Sequence, residues 1–500
     1  MHLWTELRKA FIQNQNREAI TDTSGTIWTY KKLLCVVEKL AAEILRHTQE
    51  GSRIVVVHSH AFYDAVGVLG VLAANCTVVP ISLKYGERNC QQIIQKLNPH
   101  LIVTNIEDLC MRLQQESCLN CFQTKDFWRA AFESGVDKIE EEDSDETLVF
   151  SGTALANDAE GAHPAVIMFT SGTTGVPKGS VLSHKNVISN IRDFDCFFHA
   201  KPLDHILITR PLCHTPVLTT ELLYSLLCGC RITFFAEVFS PRKILRIMQD
   251  QKCTVMSGTP TLFYHLAISK REDMVLPLKK AVLSGECLTE SMVGKIGKAF
   301  PDTDFYHVYG LTEASPRCTY LAPKYFYTKR GSVGVPLQHV SVRILNEDGS
   351  ETEKGQVGEV VIAGPNVMLG YWDDAVLTKK VLRDGWLYTG DLGYFDDEGF
   401  LFIVGRKDHM IIKAGMNIYP QEIENVLLED AAIKDVLAWG EKDDKYGQRI
   451  CLKVVLEMPG ACSETDIMHI CQKRLPSLQW PDRVMIVETL QRNQAGKLVR

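Results

Sequence analysis

The chain has 500 residues, a formal net charge of −7, 45 % hydrophobic and 23 % charged residues. That length exceeds what one hydrophobic core supports, so at least two domains are expected, and the composition excludes wholesale disorder. The charge balance offers no concentrated basic surface, which speaks against a nucleic-acid or acidic-membrane partner.

The first twenty residues mix charges with apolar side chains and lack the apolar core of a signal peptide. No stretch reaches the apolar length of a transmembrane segment, and a cytoplasmic protein is expected. Arg53–His58, Thr77–Ile81 and Leu101–Thr104 read as strands, with helices over Ala61–Ala74 and Cys90–Leu97 between them. Cys118 and Cys121 form a lone CxxC, read as two unrelated thiols because a structural zinc site needs four ligands. An acidic stretch, Glu140–Glu146, reads as a solvated loop. The alternation resumes with Ala165–Phe169, His205–Thr209, Arg231–Phe235, Thr254–Ser257, Ala281–Ser284 and Asp304–Tyr309 as strands. Cys228 and Cys230, at a helix-to-strand junction, read as small core residues. Such alternation implies α/β architecture, with parallel-rich sheets covered by helices and ligands at the carboxyl ends of strands. From about Val340 the strands are closer and the turns rich in glycine, which suits an antiparallel β subdomain. After Gly405 comes a small α+β unit: a helix over Tyr419–Leu428, strands at Asp435–Trp439 and Arg449–Leu456, a helix over Glu464–Leu475 and a strand at Arg483–Val487. The expected domains are therefore 1–405 and a mobile 406–500.

The run Thr170, Ser171, Gly172, Thr173, Thr174, Gly175, Val176, Pro177, Lys178, Gly179 follows an apolar strand. Its glycines let backbone approach a ligand closely, its hydroxyls donate, and Lys178 supplies a cation, a combination suited to nucleotide phosphates. Pro177 stands where a Walker A sequence needs its second glycine, so this is a different phosphate loop. No GxGxxG follows a strand, which leaves a dinucleotide-dependent dehydrogenase without support.

Further along, in order, come Ser284-Gly285-Glu286, Tyr309-Gly310-Leu311-Thr312-Glu313, Tyr388-Thr-Gly-Asp391, Gly405-Arg406-Lys-Asp408, Ala414-Gly415-Met-Asn-Ile-Tyr-Pro420 and Asn493-Gln-Ala-Gly-Lys497. With the phosphate loop, this ordered set resembles the adenylate-forming superfamily of acyl- and aryl-CoA synthetases, peptide-synthetase adenylation domains and luciferases, and most resembles free-standing acyl-CoA synthetases. The resemblance covers nearly the whole chain. It implies ATP and Mg²⁺ as cofactors. Gly285 and Glu286 would flank the adenine and Tyr309 would stack on it. Thr312 would contact the α-phosphate, Glu313 would help hold Mg²⁺, and Asp391 and Arg406 would bind the ribose. His307 stands where the family often has an Asn or Asp near the adenine amino group, and Gln491 where it usually has Pro. Lys497 would bridge the acid and the α-phosphate during adenylation, so Lys497, Thr312, Lys178 and His214 form the expected catalytic set. Asp408 would be the interdomain hinge, and Ala414 and Gly415 would line the acceptor tunnel.

Amino-acid-activating relatives commonly carry an aspartate where this chain reads Arg210-Pro-Leu-Cys-His214-Thr-Pro. A buried amino group without a carboxylate is costly, so an α-amino acid is disfavoured. His214 can equally be a core histidine. The resemblance places the acid among His214, Thr215, Thr219, Gly258, Phe263, Gly310 and Leu311. Gly310 in place of a bulky tryptophan implies a pocket longer than acetate needs. The implied activity is activation of a medium-chain fatty, aryl or polyketide-like carboxylic acid to an acyl-adenylate, then transfer to coenzyme A. The alternatives are a phosphopantetheinyl carrier protein or an amine as acceptor, or a non-catalytic ATP-binding homologue.

Overall fold

The computed structural model describes residues 2–22, 25–58, 61–82, 87–104, 121–123, 161–170, 177–235, 239–286, 288–413, 416–443 and 446–492. Cys118 and the acidic 140–146 stretch lie outside these residues.

The expected parallel strands Arg53–His58, Thr77–Ser82 and Leu101–Thr104 are hydrogen-bonded side by side, with Pro164–Thr170 next to Thr77–Ser82. Every residue of Thr77–Ser82 is buried, as a strand covered by helices on both faces requires. The covering helices include Tyr30–His47 and Ala61–Ala73. Tyr30–His47 starts at Thr29, whose hydroxyl oxygen accepts the Lys32 N–H. Lys178–Ser183 pairs antiparallel with Pro164–Thr170 and runs into the helix His184–Phe198 through a capping box of Ser183 and Asn186.

A second sheet holds the parallel strands Arg231–Phe234, His205–Ile208, Val255–Gly258, Lys280–Ser284 and Asp304–Gly310 in that order. After Gly310 the direction reverses. Arg317–Leu321 and Ser332–Pro336 continue antiparallel, and Ser332–Pro336 pairs with Leu401–Arg406. The β subdomain, Ser341–Leu345, Gly358–Ala363, Trp386–Phe395 and Leu401–Arg406, is thereby an extension of the parallel sheet. A helix not singled out in the sequence, Leu3–Gln13, buries Leu3, Trp4, Leu7, Ala10 and Phe11 along one stripe, and the Leu3 N–H donates to His184 Nδ1 at 3.3 Å.

A third sheet is built from Ile411–Lys413, Met416–Ile418, Ile433–Asp443, Gly447–Leu456 and Arg483–Ile486, with the helices Pro420–Leu428 and Glu464–Arg474. Arg406 is still in the second sheet, opposite Asp391. The chain therefore changes sheets within the single turn Lys407–His409, slightly later than the expected boundary. Cys230 is fully buried and its thiol donates to Lys201 O, while Cys228 is half-buried. Among the described residues no helix is long and apolar enough to cross a membrane.

Candidate active site

Thr170 and Lys178 are paired residues at the loop end of an antiparallel hairpin. Ser171, Gly172, Thr173, Thr174 and Gly175 between them lie outside the described residues, as do Ala414, Gly415 and Lys497.

The Lys280–Ser284 and Asp304–Gly310 strands run parallel in register, so Gly285, Glu286 and Tyr309 emerge together at their carboxyl ends. Gly285 has φ +90°, and a Cβ there would meet nothing within 4 Å, leaving open space beside the strand end. Glu286 is tied back by the Thr261 hydroxyl, which donates to its carboxylate at 2.6 Å. His307 is turned inward. It is 1 % exposed, its Nδ1 lies 2.8 Å from Ser332 O, and burial lowers its pKa, so the ring is neutral. The carbonyl partner assigns the proton to Nδ1. This imidazole braces the strand pair.

Tyr309, Asp391 and Arg406 form one clasp. The Tyr309 hydroxyl donates to Asp391 Oδ2 at 2.5 Å. Burial and the adjacent Asp391 hold that phenol well above its ordinary pKa. Asp391 and Arg406 face each other across neighbouring strands, and Arg406 Nη1 donates to Asp391 Oδ1 at 3.0 Å and to Thr389 O at 2.9 Å. Its Nε donates to Asp408 Oδ1 at 3.3 Å. Burial alone would lower the Arg406 pKa, but Asp391 and Asp408 outweigh it and the value is raised. The pair expected to bind ribose and the expected hinge residue are thus joined through one guanidinium.

Thr312 and Glu313 open a short turn, Thr312–Ala314. The Thr215 hydroxyl donates to Thr312 Oγ1 at 3.0 Å, bringing the His214 segment against the second nucleotide motif. The Glu313 carboxylate accepts the Tyr371 hydroxyl at 2.7 Å. Tyr371 belongs to the edge strand Gly370–Tyr371, paired with Lys178–Ser183, and was not anticipated. A strand of two residues leaves no periodic signal, so the sequence could not reveal it.

Three residues expected at the acid pocket have structural roles of their own. Phe263 is fully buried, set edge-to-face against Phe300 and Phe305, so it is a core ring of the helix Pro260–Ser269. A Cβ at Gly310 would overlap the Pro316 carbonyl oxygen, so glycine is required by the return of the chain and does not report pocket length. Thr219 is fully buried and donates to Thr215 O at 2.8 Å, which stiffens the helix. Gly258 and Leu311 lie at the Val255–Gly258 strand end and beside Gly310, while His214 is half-buried.

Thr219 begins a second unanticipated feature. Val217–Leu223 is a π-helix in which every residue is buried, marked by Tyr224 N–H donating to Thr219 O. Such wide turns are rare and often sit at functional sites. This one carries Glu221, whose Oε1 accepts Arg210 Nη2 at 2.6 Å.

The family profile described as AMP-binding enzyme matches residues 7–372, and that described as AMP-binding enzyme C-terminal domain matches residues 422–497. An indoleacetate–CoA ligase of Aromatoleum aromaticum is 31 % identical over 352 residues, 70 % of this chain and 68 % of that protein. A long-chain-fatty-acid–CoA ligase of Bacillus subtilis is 32 % identical over 340 residues, 67 % of this chain and 60 % of its own length. The o-succinylbenzoate CoA synthetase of Bacillus subtilis, solved with its acyl-adenylate intermediate, superposes with a TM-score of 0.85 over 100 % of this chain and 97 % of that one, at 24 % identity, which establishes the shared fold. By these matches, the chain belongs to the AMP-binding enzyme family.

Proposed function

We propose that this protein activates a carboxylic acid with ATP and passes the acyl group to the thiol of coenzyme A. The observation that carries the reading is the Tyr309–Asp391–Arg406 clasp, set at the strand ends beside Thr312 and Glu313. Asp391 offers a carboxylate to vicinal ribose hydroxyls. The open space at Gly285 suits a planar base. Glu313 suits Mg²⁺, which keeps waters and phosphate oxygens and needs few protein carboxylates. Mg²⁺ there would neutralise charge on the leaving phosphates. Lys178, at the foot of the phosphate hairpin, supplies a further cation.

In the first half-reaction a carboxylate oxygen bonds to the α-phosphorus and the bond to the β-phosphate oxygen breaks, releasing pyrophosphate. In the second, a thiolate attacks the acyl carbon and AMP departs. Lys497 bridges the acid and α-phosphate in the first step, and Asp408 is the hinge that brings Ala414 and Gly415 to the acceptor path in the second. Coenzyme A is favoured because the related proteins named above are CoA ligases by name. A carrier-protein thiol or an amine is the competing acceptor.

The test is acid-dependent exchange of labelled pyrophosphate into ATP, followed by mass identification of products formed with coenzyme A, a pantetheinylated carrier protein and amines. Mg²⁺-dependent exchange and a coenzyme A thioester are expected. No exchange above the acid-free control across a broad acid panel refutes activation, and an amide as the sole efficient product refutes the thiol acceptor.

A further inference from the structure

Residues 366–372 lie between the Thr312–Ala314 turn and the Lys178–Ser183 strand and hold on to both. On the side of the turn, Asn366 is fully buried and donates from Nδ2 to Ala314 O at 2.8 Å. The Met368 N–H donates to Glu313 O at 2.8 Å, and the Tyr371 hydroxyl donates to Glu313 Oε1 at 2.7 Å. On the side of the strand, the Leu369 N–H donates to Val181 O at 2.9 Å and the Trp372 N–H donates to Gly179 O at 2.7 Å. Gly370 stands opposite Val181 and Tyr371 opposite Ser180. Gly179 directly follows Lys178 at the foot of the phosphate hairpin.

Tyr371 is itself anchored. Its N–H donates to Thr378 Oγ1 at 2.8 Å, and that hydroxyl donates to Asp374 O at 2.7 Å. Asp374 in turn caps the helix Ala375–Val381 by accepting the Leu377 N–H at 2.9 Å. On the other flank, Trp372 Nε1 donates to Lys96 O at 3.3 Å, and the Arg53 guanidinium lies 4.9 Å from the centre of its ring. The phenol therefore extends from a backbone held on both sides.

The two oxygens of the Glu313 carboxylate have different surroundings. Oε1 accepts the phenol, and no hydrogen bond reaches Oε2 among the described residues. One engaged oxygen and one open oxygen suit a cation that takes few protein carboxylates and keeps waters and phosphate oxygens. The terminal torsion of a glutamate is broad and intrinsically loose. The bond at Oε1 restricts it and so sets the direction of Oε2. Because Tyr371 is paired with the strand of the phosphate hairpin, it also ties that direction to the hairpin. Mg²⁺ demands near-ideal octahedral geometry, so its ligands tolerate little relative movement.

We propose that Tyr371 is a positioning residue for Mg²⁺: it holds Oε1 of Glu313 so that Oε2 stays available to the metal, and it ties this carboxylate to the phosphate hairpin. The inference rests on the metal assignment of Glu313 made above and deepens it.

The experiment reads binding and needs no turnover. The full-length protein is titrated calorimetrically with α,β-methylene-ATP, whose α–β bridge the reaction cannot break, once in excess Mg²⁺ and once in EDTA. The ratio of the two affinities is the gain that the metal supplies. Tyr371→Phe keeps the ring and removes only the hydroxyl. It should cut the gain by about ten-fold, the usual effect of losing a group that orients a metal ligand. Affinity in EDTA should stay within about two-fold of the unaltered protein. Glu313→Gln should cut the gain at least as far. Adding Tyr371→Phe to Glu313→Gln should change it by less than about two-fold, because the hydroxyl acts through the carboxylate. A Tyr371→Phe loss equal in Mg²⁺ and EDTA, or one that persists in full beside Glu313→Gln, overturns the proposal and leaves Tyr371 a structural contact. A gain lost in Glu313→Gln but kept in Tyr371→Phe overturns the proposal alone. A gain that survives Glu313→Gln, or no gain in the unaltered protein, overturns the metal assignment and the proposal with it.

Discussion

Asp391 has two carboxylate oxygens, and both are engaged, one by Tyr309 and one by Arg406. If a ribose diol binds there as proposed, it must share these partners, and the carboxylate meets it with its orientation already fixed. The proposed role of Lys497 poses a different question. If Lys497 acts only while the acid attacks phosphorus, Lys497→Ala should lower acid-dependent pyrophosphate exchange by on the order of 10²–10³-fold, the usual effect of losing one transition-state charge contact. The same variant should convert a supplied acyl-adenylate to thioester at near the normal rate, and equal loss in both assays would refute the assignment. At this scale the sequence singled out the motif residues because hydroxyls, glycines and charges at those spacings have few other uses, and Tyr309, Asp391 and Arg406 do meet. Tyr371 and Arg317 were not singled out, because each acts through a partner distant in sequence: Tyr371 reaches Glu313 across 58 residues and Arg317 reaches Thr220 across 97. Phe263 packs edge-to-face against Phe305, a contact the sequence could not show, since an aromatic ring in a pocket-forming helix and one in the core beneath it have the same sequence signature.

Strands and helices were legible nearly to the residue where apolar runs were short and bounded by turns, as in Arg53–His58 and Leu101–Thr104. The π-helix was not, because the apolar spacing of Val217–Leu223 is compatible with an ordinary helix and the wider turn is set by packing. The hydroxyls of Thr219 and Thr220 bond back to Thr215 O and Pro216 O, which supports the irregular segment from its own side chains. The neighbouring strand His205–Ile208 carries a pH liability. His205 is 6 % exposed, its Nε2 lies 2.8 Å from Thr233 Oγ1, and burial followed by Arg231 lowers its pKa to about 4. In the unfolded chain it would titrate near its ordinary value of 6.5. The unfolded state therefore binds more protons between those values, so stability is complete above the higher value and is lost as pH falls through the lower one. The loss attributable to this residue approaches roughly 3 kcal/mol by pH 4. Denaturant unfolding followed between pH 7 and 4.5 should show a falling midpoint, with a shallower fall in His205→Gln. An unchanged slope in the variant would remove His205 as the cause.

The two parts of the molecule meet at the turn Lys407–His409, where the chain leaves the second sheet and enters the third. The sequence changes there from closely spaced antiparallel strands to a separate α+β pattern. The continuity of the parallel sheet with the β subdomain was less visible, because edge pairing between Ser332–Pro336 and Leu401–Arg406 joins segments distant in the chain. Asp408 sits in the border turn and accepts a hydrogen bond from Arg406, which also holds Asp391. Rotation of the C-terminal unit about this turn would have to change backbone angles at Asp408, and the link to Arg406 couples that change to the Tyr309–Asp391–Arg406 clasp. Backbone freedom and side-chain contact can be separated by substitution. Asp408→Pro fixes φ near −65° and removes the carboxylate, whereas Asp408→Ala removes the carboxylate alone. If the turn is the hinge, Asp408→Pro should slow acyl transfer from a supplied acyl-adenylate by at least about ten-fold, a barrier increase near 1.4 kcal/mol, while pyrophosphate exchange stays within about two-fold of the unaltered protein. Asp408→Ala should leave transfer nearly intact and raise the KM for ATP modestly, since Arg406 loses one of its anchors. Transfer unaltered in Asp408→Pro, or slowed equally in both variants, would locate the motion elsewhere in the chain.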